Sequence, residues 1–318
     1  MKVFHSLAAY QASPSTVATI GTFDGVHIGH RAILSRIIDA ARSRNGEAVL
    51  ISFYPHPRLV LFPENNPLRL LHTLDEKIEM LRAIGLDKLL LIPFTREFSR
   101  LPSKQFVQQV LIDTVQVDQL IIGYDHRFGK NRTGGLEELQ ELAPQFGYVV
   151  EEIPAQSIDE AKISSTKIRK ALQEGDVQSA RKYLGYPYSF AGEVIHGEKA
   201  GRTLGYPTAN LAPEDPIKLI PGHGVYFVRA TVRGQLYYGM MNIGVKPTMG
   251  AFTQTQEVYL FDFDQDIYGE SLRVTFLEHL RGEKKFDSLA SLIQAMNADR
   301  DYCLARIQAL EAGEEEAS

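Results

Sequence analysis

Residues 19–34, Thr-Ile-Gly-Thr-Phe-Asp-Gly-Val-His-Ile-Gly-His-Arg-Ala-Ile-Leu, join the end of a short, mostly apolar run that starts at Val17 to the beginning of a helical pattern. From Asp24 to Ala41, Ile33, Leu34, Ile37 and Ile38 form a stripe at helical spacing. A strand that runs through a glycine-rich turn into a helix opens a β-α-β arrangement, and this decides the class of the N-terminal half. Gly21, Gly25 and Gly29 permit close approach of backbone to a ligand. The helix beyond them would aim its first amides at an anion. His27 and His30 are three apart and so share one side of a helical turn. Paired imidazoles there can donate to phosphoryl oxygens that gain charge during a transfer. A glycine-rich turn with two unrelated histidines is the plain alternative, but His-x-Gly-His at a strand-to-helix junction is considerably more specific. Zinc hydrolysis is disfavoured, since His56 and Asp24 are the best further ligands and no carboxylate base is evident.

Outward from this stretch the first half alternates strand and helix patterns. AVLISFYP (48–55), LDKLLLIPF (86–94), VDQLIIGYDHRF (117–128) and YVVEEIP (148–154) read as strands. Helical patterns lie between them: 73–85, with Thr73 and Glu76 as a capping box and Gly85 as the stop, 103–115, with Ser103 as cap, and 134–147. The expected fold is α/β, a mostly parallel sheet with helices on both faces. After Leu184-Gly-Tyr-Pro187 the segments become short and β-like, 189–197, 224–234, 235–244, 256–263 and 270–278, which predicts a closed or nearly closed antiparallel barrel. A helix over 288–310 and an acidic tail follow. The expected domains are 1–185 and 186–318.

Bulk properties agree with two globular domains: 318 residues, 44% hydrophobic and 23% charged. A formal net charge of -5 argues against gripping a long phosphate backbone, so small-molecule substrates and no nucleic-acid partner are expected. Cys303 is the only cysteine, which excludes an intrachain disulfide and a thiolate-rich metal site. The N-terminal residues show no secretory pattern, and no apolar run is long enough to cross a bilayer. The chain is expected to be cytoplasmic, with no membrane partner.

Two further segments are receptive to anions. Asp125 and Arg127 end the fourth predicted strand of the first half, and Ser164, Ser165 and Thr166 precede a helix that carries Arg169 one turn in. Taken together, HIGH (27–30) and ISSTKIR (163–169) resemble the nucleotidylyltransferase superfamily. GTFDGVHIGH (21–30) with GYDHRFG (123–129) resembles the N-terminal module of the bacterial bifunctional riboflavin kinase/FMN adenylyltransferase family, also called FAD synthetase. That resemblance implies catalytic roles for His27 and His30 on the ATP phosphates. It implies ATP binding by Gly21, Phe23, Gly29, His30, Ser164, Ser165, Thr166 and Arg169, and flavin binding by Asp125, Arg127 and Phe128. His126 stands where the family pattern has an aromatic residue.

In the second half, HGEKAGRTLGYPTANL (196–211) ties a glycine-rich turn to Thr208 and Asn210, which alternate and so face one way in a strand. A hydroxyl and an amide oxygen can hold Mg²⁺ while leaving most of its shell to phosphates and water. Glu257 could accept the proton of an attacking hydroxyl. By themselves these residues read first as turn and surface positions. GRTLGYPTAN (201–210), NIGVKPT (242–248), EVYLFDFDQDIYGE (257–270) and LRGEKKF (280–286) resemble the riboflavin kinase module of the same family, in its order, with Tyr259 at a position that is usually histidine-like. The resemblance implies a six-stranded Greek-key barrel with a C-terminal helix. It makes Glu257 the catalytic base, Thr208 and Asn210 the Mg²⁺ ligands, and Gly201, Arg202, Gly205 and Pro207 the rest of a nucleotide loop. Arg273 and Arg281 would approach flavin or phosphate. The implied activities convert riboflavin and ATP to FMN, then FMN and ATP to FAD. No Walker A pattern occurs. Rival expectations are a nucleotidylyltransferase with another acceptor, a flavin carrier without chemistry, and a nucleic-acid module on the barrel.

Overall fold

The computed structural model describes residues 1–63, 68–124, 127–129, 134–154, 163–197, 205–248 and 251–313, without the side chains of 246–248 and 251–253. Contacts divide the chain into two compact units, Met1–Ser165 and Thr166–Ser318.

In the first unit the strands are β1 (Lys2–Phe4), β2 (Thr16–Ile20), β3 (Glu47–Tyr54), β4 (Lys88–Pro93), β5 (Gln119–Gly123) and β6 (Val149–Ile153). They pair in the order β1-β4-β3-β2-β5-β6, all parallel. Every residue of β2 is buried, as a central strand covered on both faces requires. One core cluster joins Ala18, Ile51 and Ile122 to Phe106, Val110 and Leu139, and a second joins Val17, Leu50 and Leu89 to Leu34, Ile37 and Leu81. The helices are α1 (Ile28–Arg42), α2 (Pro57–Leu61), α3 (Leu74–Ile84), α4 (Ser103–Phe106) and α5 (Leu136–Phe146). The chain winds from β2 through β3 to β4, then returns to β5 on the other side of β2. That reversal is a topological switch point, where a crevice opens at the carboxyl ends of β2 and β5.

Two local expectations are corrected. The first helix begins at Ile28 and not at Asp24, because Phe23 (φ 47°), Gly25 (φ 91°) and Val26 (φ 33°) are left-handed and make a turn of the intervening residues. Ser103 is not a cap: Pro102 occupies the cap position and the Ser103 hydroxyl donates to Glu138. Beyond α4 the chain continues through Val107–Val115 in wider, π-type turns. The Thr73–Glu76 capping box and the Gly85 stop form as expected.

The second unit opens with α6, which starts at Ser165 and runs to Gln173, and α7 (Val177–Leu184). Six strands follow: β7 (Ser189–Ile195), β8 (Ala209–Pro213), β9 (Gly224–Val232), β10 (Gln235–Thr248), β11 (Ala251–Leu260) and β12 (Ser271–Arg281). They close into an antiparallel barrel in the order β10-β11-β8-β7-β12-β9. The connection from β8 passes to the far side of β10 and β11 before β9 enters, as in a Greek key. Tyr188, Phe190, Tyr226, Phe227 and Phe276 are fully buried in the unit. The last helix, α8 (Leu289–Glu311), places the fully buried Cys303 against Tyr206, Phe227, Met240 and Phe261.

Composition changes near residue 186, but the compact units part earlier because α6 and α7 pack on the barrel. The Gly222 amide donates to the Leu172 carbonyl at 2.7 Å, and a Cβ on Gly175 would meet the Tyr226 hydroxyl at 3.0 Å.

Candidate active sites

The first site grows from the carboxyl end of β2. The Gly21 amide donates to the Ile51 carbonyl at 3.0 Å and keeps the chain in the sheet for one residue more. A Cβ at Gly21 would lie 2.8 Å from the Phe23 ring, so only glycine lets that ring fold back. Left-handed Phe23 and Val26 each cost on the order of 1–3 kcal/mol, and such a turn persists only if its surroundings over-determine it. Four anchors do so. Lys77 Nζ donates to the Thr22 carbonyl (2.6 Å), and the Leu71 amide donates to the buried Asp24 carboxylate (3.0 Å). The Ser165 hydroxyl donates to the Asp24 carbonyl (2.8 Å), and Arg31 Nε donates to the Val26 carbonyl (3.3 Å).

The turn delivers His27 as the cap of α1, its Nδ1 accepting the His30 amide at 3.3 Å. That acceptor role leaves the proton on Nε2, free to be donated. The His27 and His30 rings stack with centroids 3.6 Å apart, and Phe23 stacks on the other side of His30 at 4.5 Å. Two imidazolium rings at that separation would repel by roughly 4 kcal/mol at an effective dielectric constant near 20, so the stack suits neutral rings. Burial pushes the His27 imidazole down to about 4. It lowers His30 well below its ordinary range too, with further contributions from His27, Lys77 and His72. His30 Nδ1 is buried without a hydrogen-bond partner among the described residues. Gly29, buried in the first turn of α1, completes an anion-receptive end with the Ile28 amide. The arrangement is a neutral, donating imidazole pair at a helix start beside the switch-point crevice. It can cradle a phosphate chain and stabilise charge that develops on it.

Of the other residues expected here, Ser165 joins this turn, and Ser164 precedes it in the chain. Thr166 and Arg169 belong by contact to the second unit. Asp125 lies outside the described residues, as does His126. Arg127 is exposed, with its guanidinium against Gly135. The Phe128 ring is packed into the core beside Phe106, centroids 5.6 Å apart, and its backbone bridges to Gly134. Sequence pattern leaves Lys77 unassigned and offers the Asp24 carboxylate only as a zinc ligand. The available signal was a lysine in the first turn of a capped helix, where the macrodipole disfavours a cation.

The second site lies on the barrel. Asn210 on β8 pairs directly with Glu257 on β11 and, on its other side, with Ile195 on β7. The Thr208 hydroxyl donates to Glu257 Oε2 at 3.3 Å. Gly197 is pressed by Asn210, whose Nδ2 would be 2.1 Å from a Cβ there, so the amide side chain is seated over bare backbone. A hydroxyl just before β8 and an amide oxygen and a carboxylate on adjacent strands, all half-buried, form a cluster of hard oxygen donors. Such a set fits Mg²⁺ better than a softer metal. Pro207 is exposed just before it, and Gly205 opens the described part of the loop; Gly201 and Arg202 lie outside the described residues. Arg273 is exposed on β12. Arg281 is committed to α8, its Nη2 2.8 Å from Asp299 Oδ2, with its guanidinium over the Phe286 ring.

Chemistry at phosphorus, performed twice on one chain, is what these two arrangements suit, and it places the chain among nucleotide-dependent transferases. Residues 9–167 match the family model for FAD synthetase, and residues 184–307 match that for riboflavin kinase. The bifunctional riboflavin kinase/FMN adenylyltransferase of Haemophilus influenzae is 38% identical over 275 residues, covering 86% of this chain and 88% of its own. That of Bacillus subtilis is 36% identical over 305 residues, covering 94% and 95%. A crystal structure of a macrolide-efflux protein from Streptococcus pneumoniae superposes with a TM-score of 0.85 at 33% identity, over 94% of this chain and 97% of that one. Efflux is said of that protein; among the described residues here, no helix is long and apolar enough to cross a membrane. The chain belongs to the bifunctional riboflavin kinase/FMN adenylyltransferase family, enzymes that make FMN from riboflavin and FAD from FMN.

Proposed function

We propose that adenylyl transfer is the work of the α/β unit and riboflavin phosphorylation that of the barrel. The functional domains are then 1–185 and 186–318. In the α/β unit a phosphate oxygen of FMN attacks the α-phosphorus of ATP, a P–O bond forms, and pyrophosphate leaves with the electron pair of the broken bond. His27 and His30 donate to the phosphate oxygens as charge moves onto the leaving group. Gly21, Phe23 and Gly29 shape the bed beneath the nucleotide. Ser164, Ser165, Thr166 and Arg169 bind the phosphates from the ISSTKIR segment. Asp125 and Arg127 hold the flavin, and Phe128 supports them from the core.

In the barrel the riboflavin 5′-hydroxyl attacks the γ-phosphorus of ATP. Glu257 accepts the hydroxyl proton and ADP leaves. Thr208 and Asn210 would hold Mg²⁺, which when bound neutralises phosphate charge. Gly201, Arg202, Gly205 and Pro207 enclose the nucleotide, Arg273 faces flavin or phosphate, and Arg281 would reach them by giving up Asp299. Both reactions are in-line displacements, so the protein contributes chiefly position and charge. A cytoplasmic setting agrees with a chain that can form no intrachain disulfide.

The observation that carries this reading is the meeting of Thr208, just before β8, with Asn210 and Glu257 on two paired strands, distant in sequence and adjacent in space. The test is incubation of the protein with riboflavin, ATP and Mg²⁺, with chromatographic separation of the flavins over time. FMN followed by FAD supports both assignments, and chelation with EDTA should stop FMN formation. Flavin that binds but never converts would overturn the reading in favour of a carrier.

A further inference from the structure

Lys77 belongs to none of the sequence motifs, yet the structure puts it beneath them. It stands in the first turn of α3 and is only 8% exposed. A buried ammonium at a helix start is doubly unfavourable, through lost hydration and through the helix dipole. Its Nζ donates to the Thr22 carbonyl at 2.6 Å and to the Ser52 hydroxyl on β3 at 2.7 Å. Thr22 immediately precedes Phe23, where the left-handed turn begins. The ammonium therefore grips the chain at the bend that lays Phe23 on His30.

We propose that Lys77 is a positioning residue for adenylyl transfer, locking the Thr22–Val26 turn and so holding Phe23, His30 and His27 in one stack toward the phosphate chain. This rests on the assignment of FMN adenylylation to the α/β unit. A glutamine amide in its place is one atom shorter and lacks the charge, so it would hold Thr22 and Ser52 less closely. The charge matters because an ammonium donates stronger, charge-assisted hydrogen bonds to the Thr22 carbonyl and the Ser52 hydroxyl than a neutral amine does. The groups facing this ammonium are Asp24 from the turn, Thr22, Ser52 from β3 and His30 from α1, and His72 from the segment before α3 acts on His30 as well. Asp24 attracts it, but burial prevails and brings Lys77 down to about 8. Lysine in this place thus loses its charge within an accessible alkaline range.

The test compares Lys77→Gln and Lys77→Arg with the unaltered full-length protein. FAD formation from FMN and ATP is measured as kcat and KM from pH 5 to 10. Riboflavin phosphorylation in the same preparations is the control for intact protein. Lys77→Gln should lower kcat for FAD formation about 10- to 100-fold, as slight misplacement of reacting groups does, with phosphorylation unchanged. In the unaltered protein FAD formation should decline above about pH 8; that decline should move to higher pH in Lys77→Arg and be absent in Lys77→Gln. Full activity in Lys77→Gln would overturn the proposal. If Lys77→Gln does not fold, an alkaline limb that stays in place in Lys77→Arg overturns it. No FAD from the unaltered protein would sink the adenylyltransferase assignment and this proposal with it. FAD from the unaltered protein and equally from Lys77→Gln would sink this proposal alone.

Discussion

Asn210 and Glu257 are direct partners across the β8–β11 ladder, and the Thr208 hydroxyl closes the group on Glu257 Oε2 at 3.3 Å. A residue at each end of this short chain of contacts is placed by the other. Glu257→Gln keeps the size and the ability to accept that hydroxyl but removes the base. Riboflavin phosphorylation should fall by about 10²- to 10⁴-fold, the range general-base catalysis spans. FMN supplied directly should still become FAD, which chromatography of the flavins will show.

Gly21 allows the stack at the other site. In Gly21→Ala the new methyl would stand 2.8 Å from the Phe23 ring, which is nearly enclosed at 3% exposure and has little room to yield. The ring must swing off His30 or the turn must shift, at a cost of about 1–3 kcal/mol. FAD formation should drop at least about tenfold, and riboflavin phosphorylation should not change. Steady-state kinetics on both reactions checks it.

Acid should loosen the first unit through His27. Burial holds the folded imidazole down to about 4, against 6.5 in an unfolded chain. Between those values the unfolded chain binds a proton that the folded chain refuses, so stability rises with pH across this window and levels off above it. The gap corresponds to at most roughly 3 kcal/mol. His27→Asn retains an acceptor at the cap and deletes the titration. Urea unfolding followed from pH 4 to 7 should show a shallower slope in the variant, and an unchanged slope would mean that His27 is not held neutral.

Arg281 and Asp299 fasten the last helix to the barrel, with side chains 26% and 12% exposed. Removing one partner of such a pair leaves the other poorly solvated and unmatched, at about 3 kcal/mol. Arg281→Met and Asp299→Asn should lower the melting temperature of the barrel by similar amounts. If flavin affinity suffers in Arg281→Met and not in Asp299→Asn, the arginine also reaches the ligand. Equal losses in both would assign it to the scaffold.

The α/β class was legible because β2, β3, β4 and β5 are buried on both faces and read as unbroken apolar runs. The barrel was legible from its long strands, but β8 was not: only Leu211 of its five residues is buried, so it shows no alternation. Burial likewise hid β1, whose three residues are all partly or fully exposed. His27 and His30 were visible because their spacing is local. Lys77 was not, and Asp24 read only as a zinc ligand, since their structural parts come from Leu71, Thr22 and Ser52, contacts across dozens of residues. The early turn was misread as helix because an apolar stripe reveals where a helix packs and not where left-handed residues delay its start. Phe128 illustrates the reverse: its motif pointed to a ligand, and its ring fills the core.

The lone cysteine gives the molecule a built-in clock. Cys303 is wholly enclosed, and burial pushes its thiol up to about 12, so almost no thiolate exists at neutral pH and reagents cannot reach it. Labelling by a thiol-reactive dye must wait for α8 to leave the barrel. Its rate therefore times the opening of the second unit alone in the unaltered purified chain.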